Sequence, residues 1–216
     1  ESLKRQRWRN LEFIVADSQS TDKTGEIAKS FGCRIVKGGL PAVGRNNGAI
    51  KAEGDILIFI DADVILPNNF LISALNEFKK KKLDVAGTLQ SPIRTYYVIK
   101  NIENNFYFGL ANFWMSLWQH SNKPFMHVCM FARKEVHDVI EGFDENIWFA
   151  EDSQYAVRAV RKGYRFGILD SGKVLISTRR FEKEGSWLAF TYTHYNLARL
   201  FGKKFDTNSK TRYTCS

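Results

Sequence analysis

Residues 56–63 read Ile-Leu-Ile-Phe-Ile-Asp-Ala-Asp, and no other stretch limits the possible folds so tightly. Five apolar residues without a break fit a strand buried on both faces, as in a parallel sheet. The run stops at two carboxylates spaced i, i+2, and on an extended chain such residues point the same way. Open α/β sheets bind ligands at the carboxyl ends of their strands. Asp61 and Asp63 are therefore candidates to face one ligand together. Paired hard oxygen ligands suit Mg2+ or Mn2+, which arrives bridged to phosphates. The competing reading is a strand that ends in an ordinary polar turn.

The chain around this run has the length of one α/β domain, at 216 residues. Its net charge of +9 favours anionic partners, whether phosphorylated substrates, nucleic acid or an acidic membrane surface. Three scattered cysteines, Cys33, Cys129 and Cys215, are too few for a disulfide framework or a zinc site. The expected setting is reducing and cytoplasmic. No run reaches the ~18 apolar residues of a membrane span, and the charged N-terminus does not read as a signal peptide. Residues 1–9 read as the tail of a helix, so the start looks incomplete, with an upstream strand and helix expected before it. Residues 210–216 read as a loose tail.

Strands and helices alternate along the sequence. Strands are expected at 11–16, 34–36, 56–60, 84–89, 129–133, 167–169 and 174–177. Helices are expected at 24–30, 43–52, 71–82, 134–140, 151–162 and 186–201. The alternation predicts a mostly parallel central sheet flanked by helices. Residues 96–120 carry Tyr96, Tyr97, Phe106, Tyr107, Phe108, Phe113, Trp114 and Trp118 at helical spacings. They form a helix or helix pair whose aromatics serve core packing or an acceptor- or membrane-facing surface. Asp17, Arg45, Asp61, Asp63, Glu151 and Asp152 fall at strand ends or helix starts, where they could line one crevice.

Four segments in order carry a family resemblance. They are Phe-Ile-Val-Ala-Asp-Ser-Gln-Ser-Thr-Asp-Lys-Thr at 13–24 and Gly-Leu-Pro-Ala-Val-Gly-Arg-Asn-Asn-Gly at 39–48. The strand with Asp-x-Asp at 54–63 is the third. Gly-Phe-Asp-Glu at 142–145 followed by Glu151-Asp152 is the fourth. Each is weak alone, but their order and spacing over nearly the whole chain resemble a family 2 inverting glycosyltransferase of the GT-A fold. The resemblance implies a Rossmann-like single domain, with residues 1–90 as the nucleotide-sugar half and 91–216 as the acceptor half.

It also implies roles. Asp17 would bind the nucleotide base, Arg45 the base or diphosphate, and Asp61 ribose or metal. Asp63 would hold the divalent metal (Mn2+ or Mg2+) that bridges the diphosphate. Asp152 would be the general base toward the acceptor hydroxyl, with Glu151 as the adjacent alternative. Successive helical residues point about 100° apart, so one of the two faces the acceptor. Arg179 and Arg180 resemble a segment that closes over the diphosphate; a solvated loop is the other reading. Simpler roles compete elsewhere too: turn-capping for Asp17, a surface cation for Arg45 and helix N-terminal charge for Glu151. The four histidines share no metal-ligand spacing, and His127, near the acceptor side, is the one that merits a test.

The sequence departs from the family at four places. Its first strand, which cradles the base, is absent from the sequence. Gln19 and Glu141 stand where glycines are usual. The histidine that often follows the last strands is replaced by Ser177-Thr178. The implied partners are a nucleotide-diphosphate sugar and an acceptor hydroxyl or phosphate. Aromatic residues 106–118 and the basic Arg199, Lys203, Lys204, Lys210 and Arg212 suggest a lipid-linked acceptor and peripheral association with the inner face of the membrane. Two other functions remain open, a sugar-phosphate nucleotidyltransferase and a non-enzymatic anion-binding module. No nucleic-acid motif appears, so nucleic acid is not an expected partner.

Overall fold

A computed structural model describes residues 2–8, 10–147 and 149–179. β1 (Ile14–Asp17), α1 (Thr24–Ser30), β2 (Arg34–Lys37) and α2 (Pro41–Lys51) come first. β3 (Ile56–Ile60), β4 (Val64–Ile65), α3 (Phe70–Lys80) and β5 (Val85–Pro92) follow. Then come α4 (Val98–Trp118), β6 (Cys129–Arg133), α5 (Lys134–Val139), α6 (Glu151–Arg161) and β7 (Phe166–Ile176). The helix expected at 186–201 lies outside the described residues. Residues 2–5 form a turn rather than the end of a helix. The buried Gln6 ties this turn down, accepting the Leu71 N–H at the start of α3 and donating to Pro67 O.

The α/β class stands, but the sheet is mixed rather than mostly parallel. β1 and β2 form a parallel pair, and a five-stranded sheet runs β3-β6-β5-β7-β4. Within it β5 and β7 are parallel, while β6 is antiparallel to β3 and β5, and β4 to β7. β3 is an edge strand and only Leu57 is buried in it, not the strand buried on both faces that its apolar run suggested. The two strands expected at 167–169 and 174–177 are one bulged strand. Its register against β5 jumps between Thr88 and Leu89, and the displaced Asp170 and Ser171 N–H groups are capped by Glu77.

β6 shows how the layers close. Its alternating side chains enter opposite cores, Met130 and Ala132 one, Cys129 and Phe131 the other. On the first face they meet Met126, Val136, Phe143, Tyr155, Ala156 and Ala159. On the second, α3 supplies Phe70, Leu71, Ala74, Leu75 and Phe78, a helical stripe with its apolar side turned inward. This topology brings the carboxyl ends of β3, β5 and β7 and the amino end of β6 to one edge of the sheet. No helix among the described residues is long and apolar enough to cross a membrane.

Candidate active site

Arg45, in the second turn of α2, joins three segments that lie far apart in the sequence. Its Nη2 donates to Asp61 Oδ1 at 2.7 Å, just past the end of β3. Its Nη1 donates to Glu151 Oε1 at 2.5 Å, in the first turn of α6. The guanidinium carbon also lies 5.3 Å from the centre of the Phe143 ring. Arg45 and Glu151 are largely shielded from solvent, with side chains 15% and 12% exposed, whereas Asp61 is 40% exposed. Burial works against the charge on Arg45. Asp61, Glu151 and Asp152 outweigh it and push its pKa above the ordinary arginine value. A fixed cation at a strand end, forked toward oxygen acceptors, is suited to a phosphorylated ligand.

Glu151 and Asp152 diverge, as consecutive helical residues must. Glu151 takes the Arg45 contact; burial and its neighbour Asp152 push its carboxyl upward, against the pull of Arg45. Asp152 turns instead to a small cavity lined by Arg45, Phe59, Val128, Met130 and Phe143. Its Oδ1 accepts the Ser153 N–H at 2.6 Å, and its Oδ2 lies 3.7 Å from His127 Nδ1. Burial opposes the charge on Asp152. His127, Arg45 and the Ser153 N–H overcome it and hold the carboxyl below its usual range. An ionised carboxylate facing a cavity can accept a proton.

The remaining expected residues are placed differently. Asp63 is exposed, in the turn between β3 and β4, and its backbone carbonyl accepts the Ser177 N–H at 3.1 Å. Asp17 ends β1 in the two-stranded sheet, where its Oδ1 accepts both the N–H (3.3 Å) and the hydroxyl (2.5 Å) of Ser20. Gly38 lies so close beneath it that a Cβ would come within 2.6 Å of the Asp17 carbonyl carbon. Arg179 is exposed two residues past Ser177, and Arg180 lies outside the described residues. The structure therefore brings together Arg45, Asp61, Glu151 and Asp152, with Asp63 on the adjoining turn. No group of three or more His, Cys, Asp or Glu among the described residues could hold a metal by itself.

One further residue builds the site. Asn46 donates to Phe143 O and Glu145 Oε1, both at 2.9 Å, and accepts the Phe143 N–H at 2.8 Å. It thereby fastens the 142–145 turn to α2, and its place beside Arg45 in the 39–48 segment was the one available hint. Gln19 and Glu141, at the two usual glycine positions, both have φ of 63°, the left-handed region where glycine is at ease.

The model of the family described as "Glycosyl transferase family 2" matches residues 1–140. The uncharacterized glycosyltransferase EpsJ of Bacillus subtilis (strain 168) is 29% identical over 186 residues, covering 80% of this chain and 54% of EpsJ. The GalNAc(5)-diNAcBac-PP-undecaprenol beta-1,3-glucosyltransferase of Campylobacter jejuni is 22% identical, covering 100% of this chain and 80% of that protein. The chain thus spans about half the length of EpsJ and more of the Campylobacter enzyme. Among solved structures, the mannosyltransferase PcManGT of Pyrobaculum calidifontis, in complex with GDP-Man and Mn2+, superposes with a TM-score of 0.59. It shares 19% identity over 82% of this chain and 50% of its own. At that identity the likeness shows the shared fold.

Proposed function

The chain belongs to glycosyl transferase family 2, and we propose that it transfers a sugar from a nucleoside diphosphate sugar to an acceptor hydroxyl or phosphate, with inversion. The observation that carries this reading is the Arg45 bridge. It draws the end of the Asp-x-Asp strand and the Glu151-Asp152 pair to one cavity edge. Asp152, ionised and facing the cavity, takes the proton of the acceptor hydroxyl as that oxygen bonds to the anomeric carbon. The bond from that carbon to the diphosphate breaks, and its electron pair leaves with the nucleoside diphosphate. A single displacement inverts the centre and needs no covalent intermediate. Glu151 positions Arg45 rather than acting as base. Asp17 and Arg45 bind the nucleotide part of the donor, and Arg179 and Arg180 close over the diphosphate.

The residues present fit a divalent metal of the kind held by one or two carboxylates plus substrate phosphates. Asp63, exposed beside the site, and Asp61 would hold it. Bound there, Mn2+ or Mg2+ would offset the charge that develops on the departing diphosphate. PcManGT, with GDP-Man and Mn2+, supports this reading.

The proposed acceptor is lipid-linked, met at a membrane surface. α4 begins shortly after the carboxyl end of β5, at the site's edge of the sheet. It leaves Ile99, Ile102, Phe106, Phe113 and Leu117 more than half exposed along one side. The +9 charge complements an anionic bilayer, and the Campylobacter relative is named for an undecaprenol-linked substrate. The test is release of nucleoside diphosphate from UDP-glucose, UDP-GlcNAc, GDP-mannose and a dTDP-sugar with Mn2+. Turnover of one donor that is lost in Asp63→Ala supports the function. Pyrophosphate release from a nucleoside triphosphate and a sugar phosphate, or tight duplex binding with no donor turnover, refutes it.

A further inference from the structure

The turn that leads into β6 is built around a backbone conformation that its sequence resists. Val128 has φ of 68°, a left-handed value that is a true outlier for a β-branched residue. Contacts on both sides over-determine it. Before it, Ser153 Oγ donates to Met126 O at 3.1 Å and accepts the Met126 N–H at 3.4 Å, fixing the chain to the first turn of α6. After it, β6 starts at Cys129, whose N–H bonds back to His127 O at 2.8 Å. Val128 O itself accepts the Asp61 N–H at 3.3 Å. Backbone strain of this kind persists where the surroundings impose it, and it clusters at functional sites.

What the strained turn delivers is His127. Its ring stands edge-on to Phe125, 4.3 Å between centres and 83° between planes, and its Nδ1 faces Asp152 Oδ2 at 3.7 Å. The other oxygen of Asp152 is held by the Ser153 N–H. We propose that His127 is a positioning residue for the transfer reaction, holding the Asp152 carboxylate in one orientation from the Val128 turn, whose carbonyl also anchors Asp61. This rests on the reading of Asp152 as base. The groups that face Asp152 are His127 from this turn, Arg45 from α2 and Glu151 beside it on α6. His127 and Arg45 favour its ionised form, and Glu151 disfavours it.

The test is steady-state release of nucleoside diphosphate, with Mn2+ and the donor the enzyme turns over, in four variants. His127→Leu lowers kcat about tenfold or more and leaves KM for the donor within about twofold. It also moves the acid limb of the kcat profile to higher pH, because the base has lost a group that favours its charge. His127→Asn returns a donor near the Nδ1 position and recovers part of kcat. Val128→Gly relaxes the turn, so kcat falls while the melting temperature holds or rises. Asp152→Asn is inactive. Should Asp152→Asn keep full activity, the base assignment fails. An inactive Asp152→Asn beside a His127→Leu of unchanged kcat and pH profile overturns the positioning role alone. If His127→Leu does not fold, His127→Phe, which keeps a ring against Phe125 without its nitrogens, takes its place, and an unchanged kcat and pH profile in it overturn the role equally.

Discussion

Replacing Arg45 by Met keeps the length of the side chain over Phe143 and removes the charge that two carboxylates share. The cost follows from where those carboxylates sit. Asp61, 40% exposed, is solvated well enough that losing its partner counts for little. Glu151, 12% exposed, is left as a buried charge without its counter-ion, and breaking such a pair costs about 3–5 kcal/mol. Taking the lower end gives about 3 kcal/mol, or a melting temperature lower by roughly 6–12 °C for a chain of this size. The deficit must depend on pH. Burial and Asp152 already raise the Glu151 carboxyl above 4.5, and losing Arg45 raises it further. The raised group is penalised while charged, above its folded pKa, and relieved once protonated. The gap between variant and parent is therefore widest above the raised pKa of Glu151 in the variant and narrows as pH falls toward 4.5. Urea unfolding at several pH values, with and without Glu151→Gln, reads it directly. Arg45→Met in the Glu151→Gln background should cost at least 1 kcal/mol less. A deficit that is the same in both backgrounds, or flat with pH, refutes the account.

Restoring glycine at the two left-handed positions, Gln19→Gly and Glu141→Gly, should each raise stability by about 1 kcal/mol in chemical denaturation. Burial, helped by Lys134 and Arg158, pushes His137 down to about 4, so the folded chain keeps it neutral. Stability is then full above pH 6.5 and falls by up to about 3 kcal/mol on the way to pH 4; His137→Gln should flatten that slope. The paired change Phe106→Ser/Phe113→Ser on the exposed side of α4 should release the chain from anionic lipid vesicles in co-sedimentation while leaving donor turnover intact. Absence of vesicle binding in the parent chain would remove the membrane proposal.

Much of this architecture was legible because local patterns set it. α1 and β6 match their expected bounds residue for residue, each a run bracketed by residues of opposite habit. Strand direction was not legible, since the apolar run at 56–60 looks the same whether its neighbour runs parallel or antiparallel. Asp170-Ser171-Gly172 reads as a turn between two strands, and only the distant Glu77 makes it a bulge in one. β4, two residues long, is too short to show a period. In the site, the resemblance picked out Arg45, Asp61, Glu151 and Asp152, but not their pairings. The different contacts of Glu151 and Asp152 depend on Arg45 and His127, which approach from other elements. The strain at Val128 leaves no mark in composition at all, because valine is an ordinary way to start a strand.

The parallel pair of β1 and β2, apart from the five-stranded sheet, has a consequence for amide exchange. Among the described residues these two strands pair with each other alone, and they pack chiefly on α1 and α2. An element supported on so few sides opens at a lower free energy than a sheet interior. Amides of residues 14–17 and 34–37 should therefore exchange with deuterium well before those of β5 and β7. Asp17 rides on that early-opening unit. A donor that engages it would slow exchange there first, reporting occupancy of the nucleotide end independently of any turnover.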